Sequence, residues 1–296
     1  MTWEELLKEF EDRLQSNKTD NTIKAYLSSM RSFGFKDKPN LNSIIEATNR
    51  FKEAGLTNKT IADKYSAIRY LLKNYSFEFE SSEILRMKDY MSETKVDSRE
   101  IPVATPEQVK VLLEAGSIRE SAIIALLYYT GLRVGEVAML NINDIKCDEE
   151  GNWLVIPNDP KAHRTTKGKA GRTLFIHPTL WYYLSRYLNY RANYLMNFLI
   201  KDPEALILGV REKNGTGQRM HVNSLSRIVK RLCVDVGYDD LSCHSFRHCI
   251  ATELNQKGVS LVAIKELLGH KDLSTTQKYI KATKYDIKNA LESIEE

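Results

Sequence analysis

The sequence predicts a mainly α-helical protein with a small β-sheet, divided into two domains. The chain has 296 residues, more than a typical single hydrophobic core contains. Apolar residues recur at helical spacing over most of the chain, whereas the segments NWLVIP and RTLFI carry the β-branched and aromatic residues of strands. A polar segment that ends in two prolines, MSETKVDSREIPVATP, is typical of a linker between domains.

The first domain, residues 1–92, is predicted to be a bundle of helices. Thr2 and Glu5 fit a capping box that starts the first helix, because each side chain can bond the backbone N–H of the other residue. Apolar side chains then lie on one face of each helix, so the bundle can bury these faces together. Further helices are predicted over residues 22–33, 42–54, 57–75 and 81–91. The linker follows over residues 93–104.

The second domain, residues 105–296, is predicted to combine helices with two strands. TPEQ at Thr105 indicates the start of its first helix, and a capping box at Ser117 indicates the next helix, which ends at Gly131. The two strands flank the lysine-rich segment PNDPKAHRTTKGKAG. Further helices are predicted over residues 178–198, 222–236, 243–257, 260–268, 275–283 and from 285 onwards.

Composition excludes several classes of protein. With 42% hydrophobic and 28% charged residues, the chain is an ordinary globular protein. It has no run of about 18 to 20 apolar residues that would span a bilayer. Its start, MTWEELLKEFEDRL, is acidic and amphipathic, unlike a secretory signal. Because its 4 cysteines form no CxxC pair, we expect reduced thiols in a cytoplasmic protein.

Basic residues are concentrated in two segments of the second half. Residues 157–177 contain five lysines and arginines against one acidic residue, and residues 208–232 contain six against one. The net charge of the whole chain is only +4, which many proteins without a polyanionic partner share. On charge alone, a solvated surface is slightly favoured over a nucleic-acid site.

The segment CHSFRHCIATEL has two alternative interpretations. His244 and His248 are four residues apart on a predicted helix, as zinc ligands are, but the first histidine is followed by Ser245 rather than by the glutamate of HExxH. Arg247 between them would repel a dication. A helix that begins after Ser242 places His244 and Arg247 at its positive end, where N–H groups and a guanidinium bind anions. Of these two interpretations the phosphate site is favoured, and neither a metal nor a cofactor is expected. An isolated HxxR, however, is most simply explained as an exposed helix face.

Two further segments complete a pattern. YYTGLRVGEV places Arg133 just after a glycine that ends a helix, and LLGH places His270 after another such glycine. Tyr279 follows in the early part of the next predicted helix. Each feature alone is explained by an ordinary helix boundary. In this order, however, they resemble the tyrosine recombinases, the integrase and Xer-type family. TGLRVGE resembles the first arginine box of that family, and HSFRH resembles its HxxR box. LLGH followed by Tyr279 resembles the end of its second box and the nucleophile.

The resemblance covers essentially the whole chain and implies a fold and a reaction. The first domain resembles the family's SAM-like core-binding domain, and the second its catalytic domain. Arg133 and Arg247 would then hold the nonbridging oxygens of the scissile phosphate. Tyr279 would attack phosphorus and form a 3′-phosphotyrosyl linkage, without ATP or metal. His244 would assist proton transfer, and His270 would bond the phosphate.

The resemblance also implies a lysine on the hairpin between the two strands, which acts as general acid to the leaving 5′-oxygen. KGKAGR resembles the end of that hairpin and places Lys167 at this position, with Lys169 as the second choice and Lys161 as the third. Glu136 is expected either to orient an arginine or to face solvent. Basic residues of the hairpin and of helix 222–236 are expected to contact DNA. These residues are Lys161, Arg164, Lys169, Arg172, Arg227, Lys230 and Arg231.

The function implied is site-specific DNA recombination through a Holliday junction. By itself, the apolar face of the C-terminal segment, KYDIKNALESIEE, is most simply that of a helix that packs on its own domain. The resemblance implies instead that it docks on a neighbouring protomer and links a tetramer on double-stranded DNA. Two alternatives are a nicking and resealing enzyme similar to type IB topoisomerases, and a DNA-binding relative without activity. Integration, excision and chromosome-dimer resolution, and the need for accessory proteins, remain open at this point.

Overall fold

The computed structural model describes residues 1–94, 102–159, 164, 171–211 and 215–270. The chain divides into two compact units, Met1–Glu100 and Ile101–Glu296. The described residues are mostly helical with two small sheets, so the predicted fold class is confirmed. Most of the predicted linker, 93–104, lies outside the described residues.

The first unit is a bundle of helices. Thr2 caps the first helix as predicted, and its backbone N–H donates to Glu5 Oε2 at 2.7 Å. Leu6, Phe10 and Leu14 are fully buried on one face of this helix, as its apolar spacing predicts. The helices are α1 (Trp3–Asn17), α2 (Asp20–Phe33), α3 (Leu41–Glu53), α4 (Asn58–Asn74) and α5 (Ser81–Glu93).

The second unit is built around one central helix. Its helices are α6 (Pro106–Ala115), α7 (Ile118–Thr130), α8 (Val134–Met139), α9 (Pro178–Asn197), α10 (Val222–Asp235), α11 (Cys243–Gln256) and α12 (Leu261–Leu268). Helix α7 is buried on all sides and packs against α6, α9, α10 and α11. An apolar surface all round a helix is what such a central position requires. The helices predicted over residues 275–283 and from 285 lie outside the described residues.

A three-stranded antiparallel sheet contains both predicted strands. Its order is β1 (Ile145–Asp148), β2 (Gly151–Ile156) and β3 (Arg172–Phe175). Ile156 pairs with Arg172, so the lysine-rich segment connects the paired ends of β2 and β3. Leu154 and Ile156 are buried against the helices. The pairing therefore fixes where the chain enters and leaves that segment.

The prediction of two strands was incomplete. The first sheet gains β1, and a second sheet has the order β4 (Leu199–Ile200), β6 (Thr216–Arg219), β5 (Leu208–Arg211). These strands are two to four residues long, and IKCD and TGQR are largely polar. Segments this short lack the alternation by which a strand is recognised, and pairing with a neighbour stabilises them. None of the helices within the described ranges is long and apolar enough to cross a membrane.

Candidate active site

Arg133 stands at the junction between α7 and α8. Helix α7 ends at Gly131, whose φ of 59° is left-handed, and a Cβ there would lie 2.6 Å from Leu268 Cδ2. Glycine is therefore needed both for the backbone conformation and for the close approach of α12. Two residues later, the Arg133 backbone N–H donates to Glu136 Oε2 at 3.0 Å, and its Nη1 lies 3.3 Å from Glu136 Oε1. The first turn of α8 thus restrains the Arg133 side chain.

Glu136 is buried, with only 3% of its side chain exposed. Besides Arg133, it pairs with Arg172, whose Nη2 lies 3.0 Å from Glu136 Oε2. Burial alone would raise the pKa of Glu136, but the charge and hydrogen bond of Arg172 and the contacts with Arg133 lower it below its usual value. The carboxylate is therefore ionised and holds two arginines. Glu136 was expected either to orient an arginine or to face solvent, and it is buried in contact with arginines.

Helix α11 starts as its sequence predicts. Ser242 is the N-cap, and its backbone N–H donates to Ser245 Oγ at 3.1 Å. His244, in the first turn, is exposed. Arg247, one turn later, is only 1% exposed. The two residues therefore share one side of the helix but differ in their access to solvent.

Arg247 connects three elements. Its Nη1 donates to the carbonyl of Gly131 at the end of α7. Its Nη2 donates to the carbonyl of Leu268 at 2.6 Å and lies 2.7 Å from His270 Nε2. Because a guanidinium has no acceptor, His270 Nε2 must accept this bond and the ring proton must lie on Nδ1. The structure thus brings the second arginine and the second histidine into direct contact.

His270 is neutral at physiological pH. Burial, chiefly, and the charges of Arg247, Arg133 and Arg172 together lower its pKa to about 4, against the opposing effect of Glu136. His270 is the residue after Gly269, which ends α12 in the left-handed backbone conformation. A neutral ring is what the hydrogen bond from Arg247 requires.

Together these contacts form one connected cluster. Arg133, Arg172 and Arg247 contribute three guanidinium groups, while Glu136 contributes the carboxylate and His270 a neutral ring. Cationic charge therefore exceeds anionic charge among these five residues. Such a balance suits a phosphodiester, which guanidinium groups bind through charge-assisted hydrogen bonds.

Several predicted residues lie outside the described residues. The proposed nucleophile Tyr279 and the proposed general acid Lys167 are among them. The alternatives Lys169 and Lys161 are as well. Their roles stay predictions.

Two of the predicted DNA-binding residues, Arg172 and Arg164, bond to other parts of the protein. Arg172 is 10% exposed, pairs with Glu136 and donates through Nε to the carbonyl of Leu267 at 2.9 Å. Arg164 pairs with Asp144 and donates to the carbonyl of Met139 at 3.1 Å. Charge counting cannot distinguish such inward arginines from exposed ones, because both contribute equally to the basic segment. No local pattern in the sequence indicates the contacts of Arg172.

The three basic residues of α10 are exposed but differ in their contacts. Arg227 bonds within its own helix, to the carbonyl of Asn223 at 3.4 Å. Lys230 donates to the carbonyls of Asp239 and Leu241. Arg231 pairs with Glu120 of α7 and is 63% exposed. Of the three, Arg227 is therefore the one whose hydrogen bonds stay within its own helix.

His248 does not share the position of His244. It is 8% exposed, and burial lowers its pKa to about 4, helped by the nearby His244. It therefore packs inside the domain. Within the described ranges, no group of three histidine, cysteine or acidic side chains is arranged to hold a metal ion.

Comparisons with known proteins identify relatives of the whole chain. The phage integrase family matches residues 102–285. The tyrosine recombinase XerA of Pyrococcus furiosus is 30% identical over 295 residues, which cover 97% of this chain and 93% of that protein. The integrase of transposon Tn1549, solved in complex with transposon right end DNA, has a TM-score of 0.72 at 19% identity over 99% of both chains.

A lambda integrase tetramer bound to a Holliday junction has a TM-score of 0.67 at 16% identity, over 95% of this chain and 78% of that chain. These solved structures share the fold. The family match spans more than half of the chain, and the Pyrococcus relative matches nearly all of it. The chain therefore belongs to the phage integrase family, as a relative of the Xer tyrosine recombinases.

Proposed function

We propose that the protein is a site-specific DNA recombinase that cleaves and rejoins DNA through a 3′-phosphotyrosyl intermediate and a Holliday junction. The observation that carries this proposal is the cluster in which Arg247 contacts His270 at 2.7 Å and Glu136 holds Arg133. The chain folds three separate sequence segments into one cationic site there. Relatives named tyrosine recombinases support the same reaction.

In the proposed reaction, the Tyr279 oxygen attacks phosphorus and the bond from phosphorus to the 5′-oxygen breaks. His244 assists removal of the tyrosine proton, and Lys167 donates a proton to the leaving 5′-oxygen. The 3′-phosphotyrosyl linkage conserves the energy of the phosphodiester, so a 5′-hydroxyl can reverse the step without ATP. Strand exchange follows when that hydroxyl comes from the other DNA site.

Arg133 and Arg247 would stabilise the charge that develops on the nonbridging oxygens. Arg247 is buried, and both of its terminal nitrogens already donate hydrogen bonds. These bonds hold the guanidinium in place beside the neutral His270, which accepts one of them.

DNA contacts are proposed for α10 and for the lysine-rich hairpin. Arg227 is the strongest candidate because it is exposed and, among the described residues, bonds only to its own helix. Lys230, Arg231, Lys161 and Lys169 are further candidates. Contacts of this type position the protein on the phosphate backbone rather than read the bases.

Recombination also requires assembly and access to DNA. The protein is proposed to act in the cytoplasm as a homotetramer on double-stranded DNA, linked by exchange of its C-terminal segment. The lambda integrase tetramer bound to a Holliday junction supports such an assembly. A nicking and resealing activity is less favoured, because a monomeric topoisomerase needs no apolar C-terminal face. An inactive relative is less favoured because Arg133, His244, Arg247, His270 and Tyr279 are all present.

Detection of the covalent intermediate tests the proposal. Random duplexes retained by the protein are sequenced to define a binding site, and a duplex with that site is nicked beside the expected cleavage position. Cleavage then releases a short 5′-hydroxyl strand and traps the adduct. We expect a protein–DNA adduct at Tyr279 in the presence of EDTA, identified by mass spectrometry.

Tyr279→Phe is the matched variant, because it removes one oxygen and leaves the ring. It should bind the same duplex and form no adduct. An adduct that persists in Tyr279→Phe, or cleavage that needs a divalent metal, would contradict the proposed reaction. Retained binding without any adduct in the wild type would favour the inactive relative.

A further inference from the structure

Arg172 occupies a position that the proposed reaction does not use. It is the first residue of β3, and only 10% of its side chain is exposed. A guanidinium is seldom buried this deeply, because its hydrogen bonds to water must then be replaced by hydrogen bonds to acceptors of the protein. The contacts that replace this hydration therefore indicate what holds the residue in place.

These contacts join two parts of the active site. Arg172 Nη2 lies 3.0 Å from Glu136 Oε2, and the same carboxylate accepts the Arg133 backbone N–H at 3.0 Å. Arg172 Nε donates to the carbonyl of Leu267 at 2.9 Å. One planar group thus spans from the residue that holds Arg133 to the turn that precedes His270.

The turn itself is built to receive this guanidinium. A Cβ on Gly269 would lie 2.6 Å from Arg172 Nη1 and 3.0 Å from its Cζ, so a side chain there would displace Arg172. The next carbonyl along, that of Leu268, accepts from Arg247 at 2.6 Å. Two arginines from different elements therefore hold two successive carbonyls just before His270.

We propose that Arg172 is a positioning residue for the recombinase, acting through Glu136 on Arg133 and through Leu267 on His270 without touching DNA. This inference rests on the proposed function. It replaces the role in DNA binding that the basic segment suggested for Arg172. Its physical basis is that phosphoryl transfer depends on placement, and a displacement of about 1 Å can cost about 100-fold in rate.

Arg172→Lys tests the inference because it keeps the positive charge and removes the fork. An ammonium is a compact donor and cannot bond the Glu136 carboxylate and the Leu267 carbonyl in the geometry of a guanidinium. With protein in excess over the nicked duplex defined above, we expect the rate of Tyr279 adduct formation to fall about 10- to 100-fold. The dissociation constant for the same duplex, measured by fluorescence anisotropy, should stay within about two-fold.

Arg191→Lys is the matched control. Arg191 is also a buried arginine, 5% exposed, and its Nε donates to the carbonyl of Ala205 at 3.2 Å. It lies on α9 and has no contact with the five-residue cluster that contains Arg172. All variants are measured at a temperature at which circular dichroism shows them folded. Arg191→Lys should then form the adduct at the wild-type rate.

Glu136→Gln supplies the second variant, and it should also slow adduct formation. Because Arg172 acts partly through Glu136, the double variant should lose less than the product of the two single losses. A wild-type rate in Arg172→Lys would overturn the inference. A loss of DNA affinity in Arg172→Lys that parallels its loss of rate would also overturn it, and so would an equal loss of rate in Arg191→Lys. The third contrary result is a double variant of Arg172→Lys and Glu136→Gln whose loss of rate equals the product of the two single losses. If the wild type forms no adduct, it is the proposed function that fails.

Discussion

His270 shows how one residue combines packing with charge. It accepts a hydrogen bond from Arg247, so its ring must be neutral although three arginines surround it. Burial and those cations lower its pKa to about 4, so the neutral form is stable at physiological pH. The cationic cluster proposed to bind phosphate therefore also keeps this histidine uncharged.

This shift predicts a pH dependence of stability. An unfolded chain gives histidine a pKa near 6.5. Between about pH 6.5 and pH 4 the unfolded state therefore binds a proton that folded His270 does not. The free energy of unfolding should fall as the pH is lowered through this window, by at most about 1.4 kcal/mol per pH unit for one group.

His270→Gln isolates the contribution of this residue. Glutamine can still accept a bond from Arg247 but does not titrate, so the decline between pH 6.5 and pH 4 should be shallower than in the wild type. Urea denaturation at several pH values measures both curves. His248, whose pKa is also lowered to about 4, contributes equally to both proteins and cancels. Identical slopes would mean that His270 does not carry the shift.

At the scale of elements, helix ends hold the site. Helix α7 ends at Gly131, whose carbonyl accepts from Arg247, and α12 ends at Gly269 beside Arg172. Both glycines have positive φ, and a Cβ on either one would come within 2.6 Å of a neighbouring atom. Carbonyls at helix ends lack helical partners. The arginines supply such partners and thereby tie the helices together.

Two arginines of helix α10 can be compared to test which of them contacts DNA. Arg227→Ala should weaken DNA binding and reduce the slope of log K against log salt by about one, because one phosphate contact is lost. Arg231 pairs with Glu120, so Arg231→Ala should chiefly affect stability, by less than about 1 kcal/mol for an exposed pair.

Titration of labelled duplex at several salt concentrations gives both slopes. Urea denaturation of the two variants gives the change in stability. A change of slope in Arg231→Ala that equals the one in Arg227→Ala would show that both arginines reach DNA. If Arg227→Ala leaves the slope of log K against log salt unchanged, α10 does not belong to the proposed DNA interface.

At the scale of the whole molecule, the chain forms two units with separate cores. The first is lined by apolar residues of α1 to α5, and the second surrounds α7. The cluster that contains Arg133, Arg247 and His270 lies within the second unit. The chemistry is thus proposed for the second unit.

Assembly of the whole molecule can be tested through its C-terminal segment. Ile287, Leu291 and Ile294 recur on one face of the predicted last helix. If this face docks on a second protomer, Leu291→Asp should bind DNA but fail to form a tetramer on it. Asn289→Asp adds the same charge to the opposite face and should assemble normally. Mass photometry of the protein–DNA complexes distinguishes these outcomes, and a tetramer of Leu291→Asp would contradict the exchange.

The sequence by itself determined the order of the boxes and the approximate positions of the described helices except α8. Capping residues at Thr2, Thr105 and Ser117 start helices where the structure has them, and Gly131 and Gly269 end theirs. These signals are local, because a cap bonds backbone groups within one turn. The spacing of His244 and Arg247 on α11 was predictable for the same reason.

Only the tertiary structure decided what the inward arginines contact. Arg172 and Arg164 belong to a basic segment, yet they bind Glu136 and Asp144 from distant parts of the chain. The short strands β4 to β6 likewise depend on partners that no local pattern reveals. Charge and periodicity report a residue's type and its neighbours along the chain. Burial depends on which elements meet in space, so the contacts of Arg172 with Glu136 and Leu267 are visible only in the structure.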